Sequence, residues 1–550
     1  MSEQKQTRSL SKLVGVWLYV IEGNKAKYLK ALLLGLLLNS FMSVANPLAL
    51  KYLFDEGIIR GDFRLFVVLG VSFVLIFTLW RLGLYANRLY IQKLKNTVFR
   101  SLCLRMLTKY YNLPYGEVIK KDQGYFLSRV YDEVLATAPP TIDYTTSLFN
   151  TTVTLLVALT VVLTISWRAT LTILVAVPLV WAVSRKYAKK IKKESKLEKE
   201  EEAKLRGVLG RALGAYKLAK TFALQEVIFT KADGHFHGYL EAFLLRFRTS
   251  ARYQTLSGML MSYAETIAII GAGYEMLSGR MTFGGYMGFM NGFWLVIGAV
   301  RGIFDLVPEL SRVSGQVERL KEFEEAEGRR ERLSYADEVR LERVSFAYNG
   351  KNVLEDFSFE PGRGEKILIV GPNGSGKSTL AHLLAGLLEP TSGAATTFPL
   401  ERVSAVIYPC DFAPGTVRDN LSFVAPAAGG ETLDRLAREF GLDGHLDKDA
   451  SELSAGQRKK LEVIMGLSKE AEVYVFDEPL AGVDIGSKDK VIAEIFGRTE
   501  GKTLVVIMHG DGQFHPLFDR VVNLEATTPA EPAPQAVLPE ALPRAVSAAP

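Results

Sequence analysis

The chain has 550 residues and a mass of 60.9 kDa, and length alone suggests three to four domain-sized units rather than one core. A hydrophobic fraction of 48%, a mean hydropathy of +0.12 and a charged fraction of 23% fit a chain that is membrane in one part and soluble in another. Two cysteines, Cys103 and Cys410, exclude a disulfide scaffold, and a formal charge of +6 is too small to argue for nucleic acid.

About 20 apolar residues are needed to span a bilayer as helix. Six such runs lie near 29–51, 65–87, 142–165, 169–187, 254–276 and 284–307. Residues 1–12 are polar and no small-residue cleavage site follows the first run, so it reads as a membrane helix and not as a signal peptide. The connections 55–64, 166–168 and 277–283 are short; 88–141 and 188–253 are long. Long and short alternate, so the long ones share one side of the membrane. The stretch 185–211 carries 11 Lys/Arg against 5 Asp/Glu, while each short connection carries at most two basic residues. The positive-inside bias therefore places the long connections and both termini in the cytoplasm of an integral, cytoplasmic (inner) membrane protein. The basic run also reads as a solvated helix face, or as a contact for anionic lipid headgroups.

A structureless 50-residue loop is improbable, so the membrane helices are expected to continue into the cytoplasm. Asn112-Leu113-Pro114-Tyr115-Gly116 breaks the first hairpin at its tip, where a short transverse helix fits. Gly207, Gly210 and Gly214 mark the second tip. The resulting organisation is a transmembrane domain over 1–315, a charged helical linker over 316–338, an α/β domain over 339–525, and a tail over 526–550. The tail holds six prolines and eight alanines, too few apolar anchors to fold.

Lys366-Ile367-Leu368-Ile369-Val370 reads as a short buried strand. It enters Gly371-Pro372-Asn373-Gly374-Ser375-Gly376-Lys377-Ser378-Thr379, which is followed by a helical pattern. This is the phosphate-loop spacing in its required strand–loop–helix context. Backbone N–H groups turn inward on phosphates and the helix N-terminus adds positive potential. Lys377 reaches the β- and γ-phosphates, and Ser378 offers a hydroxyl to Mg²⁺. A second buried strand, Val473-Tyr474-Val475-Phe476-Asp477-Glu478, ends in two carboxylates. Asp477 is placed to hold Mg²⁺ through water, and Glu478 to polarise the attacking water. A third strand over 504–508 ends in His509.

Leu453-Ser454-Ala455-Gly456-Gln457, shortly before the Asp-Glu strand, resembles the signature loop of ATP-binding cassette (ABC) proteins. With the phosphate loop, Ala481-Gly482-Val483-Asp484 and His509 in cassette order, six spans ahead of one cassette look like an ABC exporter half-transporter. The resemblance covers about 15–525, and the runs at 49–57 and 113–115 also fit that family's membrane domain. It implies an α-helical six-span membrane domain with long cytoplasmic helix extensions, followed by an α/β P-loop ATPase cassette. By the same resemblance Tyr348 would stack on adenine, Ser454 and Gly456 would bind the γ-phosphate of ATP held by an opposite subunit, and Asp484 would lie at the dimer seam. His509 would contact the γ-phosphate and orient the water. The tips near 113–123 and 210–217 would be coupling helices.

Three departures stand out. The family normally has Gln after the strand that reads Val403-Ser404-Ala405-Val406-Ile407-Tyr408-Pro409; here the position is Cys410, and no Gln occurs between Leu380 and Gln457. A thiol is a poor ligand for Mg²⁺, which prefers hard oxygen, leaving Asp411 as a substitute or the loop off the metal. The signature also has Ala455 where Gly is usual, and the segment 447–452 is short.

His235 and His237 face different ways on a helix and do not suggest metal. Arg81, Glu265 and Arg301 fall within spans, where ionisable groups are functional candidates, with a structural Glu265–Arg pair as the plainer reading. Six of the 11 methionines lie between Met259 and Met290, with Tyr286, Phe289, Phe293 and Trp294 among the later ones, which suggests a cargo path along spans five and six. The expectation is an ATP- and Mg²⁺-dependent exporter, a homodimer in membrane lipid moving a peptide, drug-like or other amphipathic substrate, with no nucleic-acid partner. A lipid flippase with the same engine, and an ATP-gated sensor or channel, are the alternatives.

Overall fold

The computed structural model describes residues 14–325, 332–348, 350–426, 430–509 and 512–524, so the tail at 526–550 lies outside the described residues. The chain divides into two units. One comprises the described residues of 14–111 and 123–325, and the other those of 112–122 and 332–524.

The first unit is helical. Its long helices are α1 (Lys25–Tyr52), α2 (Phe63–Tyr111), α5 (Glu133–Ile165), α6 (Trp167–Gly214), α8 (Gln225–Leu277) and α9 (Phe283–Glu325). Short helices α3 (Tyr115–Val118, in the second unit), α4 (Gln123–Leu127) and α7 (Tyr216–Thr221) occupy the hairpin tips. At 1.5 Å per residue the 49 residues of α2 run about 70 Å, more than twice a bilayer's hydrocarbon core, so this helix continues well beyond the membrane. Five helical segments among the described residues are long and apolar enough to cross: Lys25–Ile59, Phe63–Tyr111, Gln123–Ile165, Gln225–Leu277 and Phe283–Ile303. The remaining expected span, 169–187, falls in α6, and its side chains over 172–181 lie outside the described residues.

Polar groups tie the helix ends together. The chain leaves α1 through a π-helical stretch, Leu53–Ile59. There Asp55 accepts from the Thr282 hydroxyl at 2.6 Å and from the Gly284 N–H at 2.8 Å. Gly284 permits this approach, because a Cβ there would sit 2.2 Å from the Lys51 carbonyl. Lys95 pairs with Asp143 at 2.9 Å between α2 and α5.

The second unit is α/β. A parallel sheet runs β6 (Val403–Val406), β7 (Val473–Asp477), β8 (Thr503–Ile507), β4 (Lys366–Val370) and β9 (Arg520–Asn523) in spatial order. Alternate residues of its strands feed opposite cores, as the period of two demands. Leu368, Phe476, Leu504 and Val506 pack on one side, whereas Ile367, Ile369, Val475, Val505 and Ile507 pack on the other. A second sheet, β1 (Leu333–Tyr335), β5 (Ser392–Thr397), β2 (Arg340–Tyr348) and β3 (Lys351–Phe359), is mostly antiparallel. Two boundaries differ from the sequence reading: α9 continues the last span through Glu325, and β1 begins inside 316–338 because its three residues pair in register with Ala395, Thr396 and Thr397.

Candidate functional site

The phosphate loop leaves β4, the strand between β8 and β9, and enters α10 (Lys377–Leu384). Gly376 holds φ +92°, and a Cβ there would lie 3.0 Å from the Val353 carbonyl, so only glycine fits. Lys377 is buried, and its Nζ donates to the Gly371 and Pro372 carbonyls, each at 2.9 Å, which aims the ammonium into the curve of the loop. Ser375 is 1% exposed and its Oγ has no hydrogen-bond partner among the described residues. A buried hydroxyl left open inside a curve of N–H groups and an ammonium fits a polyphosphate.

β7 and β8 bring the acidic groups alongside. Asp477 is 3% exposed and takes a hydrogen bond from the Ser378 side chain. Burial, joined by the Glu478 charge, pushes the Asp477 carboxyl above the usual range, partly offset by Ser378, Lys459 and His382. The Ser378 hydroxyl and Asp477 carboxylate form the hard-oxygen pair that a small divalent cation takes alongside phosphate and water. Glu478 adopts φ +51°, a left-handed conformation that costs a non-glycine residue about 1–3 kcal/mol, and its N–H donates to the Ile507 carbonyl at 2.9 Å. His509 follows β8. With Val370, Gly371, Met508, Gly512 and His515 it lines a cavity of about 220 Å³ beside the first glycine of the phosphate loop. Tyr348 ends β2, 39% exposed, with its ring edge-on to Phe346 at 4.9 Å. A phenol ring half open to solvent is available for stacking.

The signature residues are built elsewhere on the sheet. Beyond α11 (Val417–Val424) and α12 (Gly430–Glu439), Ser454 caps α13 (Ala455–Ser468), which packs over β6 and β7. Its Oγ accepts from the Gln457 N–H and its own N–H donates to Gln457 Oε1 at 3.0 Å, a complete capping box. Ser454 and Ala455 are exposed, and among the described residues no hydrogen bond joins Ser454 or Gly456 to 371–379. Asp484 occupies the position before α14 (Ile485–Arg498) without a side-chain capping bond. Its carboxyl is held below the usual range by the Ser487 hydroxyl and by Lys460, whose Nζ lies 3.2 Å away.

At the position where the resemblance leads one to expect Gln, burial pushes the Cys410 thiol up to about 11, with the Glu462 charge adding to it. Cys410 is therefore a neutral thiol at ordinary pH, and Asp411 beside it is exposed. Sequence reasoning missed three groups near the site. Lys459 and Glu462 form a buried ion pair at 3.1 Å on α13. His445 lies 2.8 Å from Gln457. Tyr115 of the first hairpin tip stacks on His382 of α10, rings 5.2 Å apart and 11° from parallel, while His382 Nδ1 lies 2.6 Å from the Ser378 carbonyl. The three-residue spacing of Lys459 and Glu462 was visible in the chain, but their burial was not.

In the membrane unit, Phe289 and Phe293 are fully buried against Ala158, Val162, Ala264 and Ala268, so they belong to helix packing and not to a path open in one chain. Met259 and Trp294 are about half exposed. Arg301 lies 3.8 Å from Asp305 one turn away, Arg81 sits over the Phe77 and Trp80 rings, and no ion pair reaches Glu265 among the described residues.

A helical membrane unit followed by a nucleotide-binding α/β unit defines a membrane transport ATPase. The family model described as ABC transporter transmembrane region matches 29–300, and the one described as ABC transporter matches 354–481. The chain belongs to the ABC transporters, as an exporter half-transporter that hydrolyses ATP. Its relatives include proteins named ATP-dependent lipid A-core flippase. One from Chromobacterium violaceum is 24% identical over 522 residues, covering 88% of each chain. One from Xylella fastidiosa is 23% identical over 508 residues, covering 86% of this chain and 84% of the relative. One from Burkholderia pseudomallei is 23% identical over 502 residues, covering 84% and 83%.

Proposed function

We propose that two copies of this chain form a homodimeric exporter that binds Mg²⁺ and ATP at two shared sites and moves an amphipathic lipid across the cytoplasmic membrane. The observation that carries the shared site is the signature loop. Ser454 caps α13, is exposed, and among the described residues makes no hydrogen bond to the phosphate loop of its own chain. A γ-phosphate held at Lys377 would be met by Ser454 and Gly456 of a second copy. Ser378 and Asp477 would hold Mg²⁺, Tyr348 would stack on adenine, Glu478 would activate water, His509 would orient it, and Asp484 would sit at the seam. The basic stretch at 185–211 supports a cytoplasmic cassette. A lipid cargo is supported by the names of relatives matched over most of their length.

Mixed dimers test the shared site. Lys377→Ala and Ser454→Arg chains, differently tagged, are each expected to be inactive alone. Purified together, they reconstitute one intact composite site, because the good phosphate loop of one meets the good signature of the other. ATPase recovery in the mixed dimer supports the reading, and its absence in a stable mixed dimer refutes it. ATP-driven movement of fluorescent amphipathic lipids in vesicles tests the cargo. ATP binding that opens a conductance without sustained hydrolysis would point instead to the channel alternative.

A further inference from the structure

We infer that Lys459 is a positioning residue for ATP hydrolysis, holding the Asp477–Glu478 peptide so that Glu478 keeps its aim. This rests on the reading of Glu478 as the water-activating group.

That peptide is held at both of its polar atoms. Its N–H, that of Glu478, donates to the Ile507 carbonyl at 2.9 Å, which anchors it to β8. Its carbonyl, that of Asp477, accepts from Lys459 Nζ at 3.1 Å, which anchors it to α13. The next rotatable bond along the chain is the Glu478 N–Cα bond, whose φ of +51° a non-glycine residue does not choose unaided. A peptide clamped on two sides keeps this rotation from relaxing.

The lysine is fitted to its task. Lys459 and Glu462 are each 6% exposed, with Nζ and Oε2 3.1 Å apart. Glu462 Oε2 makes no aligned hydrogen bond among the described residues, so it serves as a counter-charge and not as a second clamp. The Tyr408 ring centroid lies 5.9 Å from the ammonium, within reach of a cation–π contact. Buried ion pairs are seldom the most stabilising way to fill such a space, and two apolar side chains of similar size do as well or better. Stability therefore does not account for the pair, whereas the donor it delivers to the Asp477 carbonyl does. The pair also joins the helix that begins at the signature loop to the peptide beside the hydrolysis site.

Removing Lys459 alone would strand the Glu462 charge, so the test changes both residues in the full transporter. Lys459→Met/Glu462→Met removes charge and donor at near-constant volume. The expected result is an unchanged melting temperature, unchanged KM for Mg²⁺–ATP and a fall in kcat of roughly tenfold or more, the scale of a small misplacement at a reacting centre. Lys459→Arg with Glu462 kept, which preserves a cationic donor of sufficient reach and its counter-charge, is expected to retain most of the parent's kcat. A methionine pair with kcat within about twofold of the parent overturns the inference, as does equal loss in a folded Lys459→Arg variant. Lys459→Leu/Glu462→Leu gives the same reading should the methionine pair not fold. Glu478→Gln is measured beside them. Turnover retained in that variant removes the role given to Glu478, whereas an inactive Glu478→Gln beside a fully active methionine pair removes the clamp alone.

Discussion

The imidazole Nε2 of His445 lies 2.8 Å from the amide Nε2 of Gln457. Gln457 Oε1 is already committed to the Ser454 N–H, so its amide nitrogen must be the donor and the histidine the acceptor. The ring therefore carries its proton on Nδ1, which is buried without a partner among the described residues. The contact orients the glutamine that completes the capping box of the signature helix. His445→Leu loses one neutral hydrogen bond and an unsatisfied N–H together, so stability is expected to change by about 1 kcal/mol or less. ATP turnover is expected to fall a few-fold as Gln457 is freed. Turnover equal to the parent's would show that the capping box holds without the histidine.

Glu478→Gln is expected to retain ATP binding and lose turnover by about 10²–10⁴, the usual contribution of a positioned general base. A nucleotide-stabilised dimer should accumulate in this variant and be visible by size-exclusion chromatography. Turnover near the parent's would move the role to another group, with His509 the next to test.

Cys410 gives a pH signature. Its thiol is raised from 9.0 to about 11 by burial first and by Glu462 second. A raised acid pKa means that the folded chain holds the proton more tightly than the unfolded chain. The corresponding stability is fully present below pH 9 and is lost as pH rises through 11. Cys410→Ala, which cannot ionise, should therefore show a smaller drop in melting temperature between pH 9 and pH 11. At neutral pH alkylation of Cys410 should be slow, since the thiolate is the nucleophile. Fast labelling at pH 7 would contradict the buried, neutral thiol.

The ring stack of Tyr115 on His382 connects the first hairpin tip to the helix that follows the phosphate loop. Burial raises the Tyr115 phenol above its ordinary value, consistent with a ring packed and not solvated. Tyr115→Ala should leave Mg²⁺–ATP affinity intact and reduce cargo-stimulated turnover more than basal turnover. Tyr115→Phe, which keeps the stacking face, should behave like the parent. Equal loss of basal and stimulated rates would mean that the tip only supports the cassette.

What the chain disclosed beforehand was what lies contiguous in it. The phosphate loop, the Asp477–Glu478 strand end and the Ser454–Gln457 capping spacing are local patterns whose chemistry fixes their context. The clamp at Lys459, the His445 contact and the Tyr115 stack join residues 12 to 267 positions apart in the chain, and they depend on how α13 and the first tip pack. The membrane helices were legible as spans but not as faces. A helix apolar all round gives no periodic signal of which side meets protein. Phe289 and Phe293 thus read as candidate cargo contacts and proved to be helix packing.

That difference makes the cargo path testable by accessibility. Phe289 and Phe293 are 0% exposed, while Trp294 is 47% and Met259 48% exposed. In a background with Cys103 and Cys410 replaced, single cysteines at 259, 265, 294 and 301 sample faces that the helices leave open, and cysteines at 289 and 293 sample the packed face. Phe289→Cys and Phe293→Cys are expected to resist water-soluble thiol reagents and to lower stability by about 3 kcal/mol or more, as cavity-forming changes do. Positions 265 and 301 carry charge in the parent, and an ionisable group in a span favours a wet surface. They should therefore react readily in the nucleotide-free state, and cargo should protect them. Reaction at 259 and 294 without reaction at 265 and 301 would mean that the exposed faces meet lipid and that other helices line the path. Reaction at 289 or 293 would mean that these helices separate during the cycle.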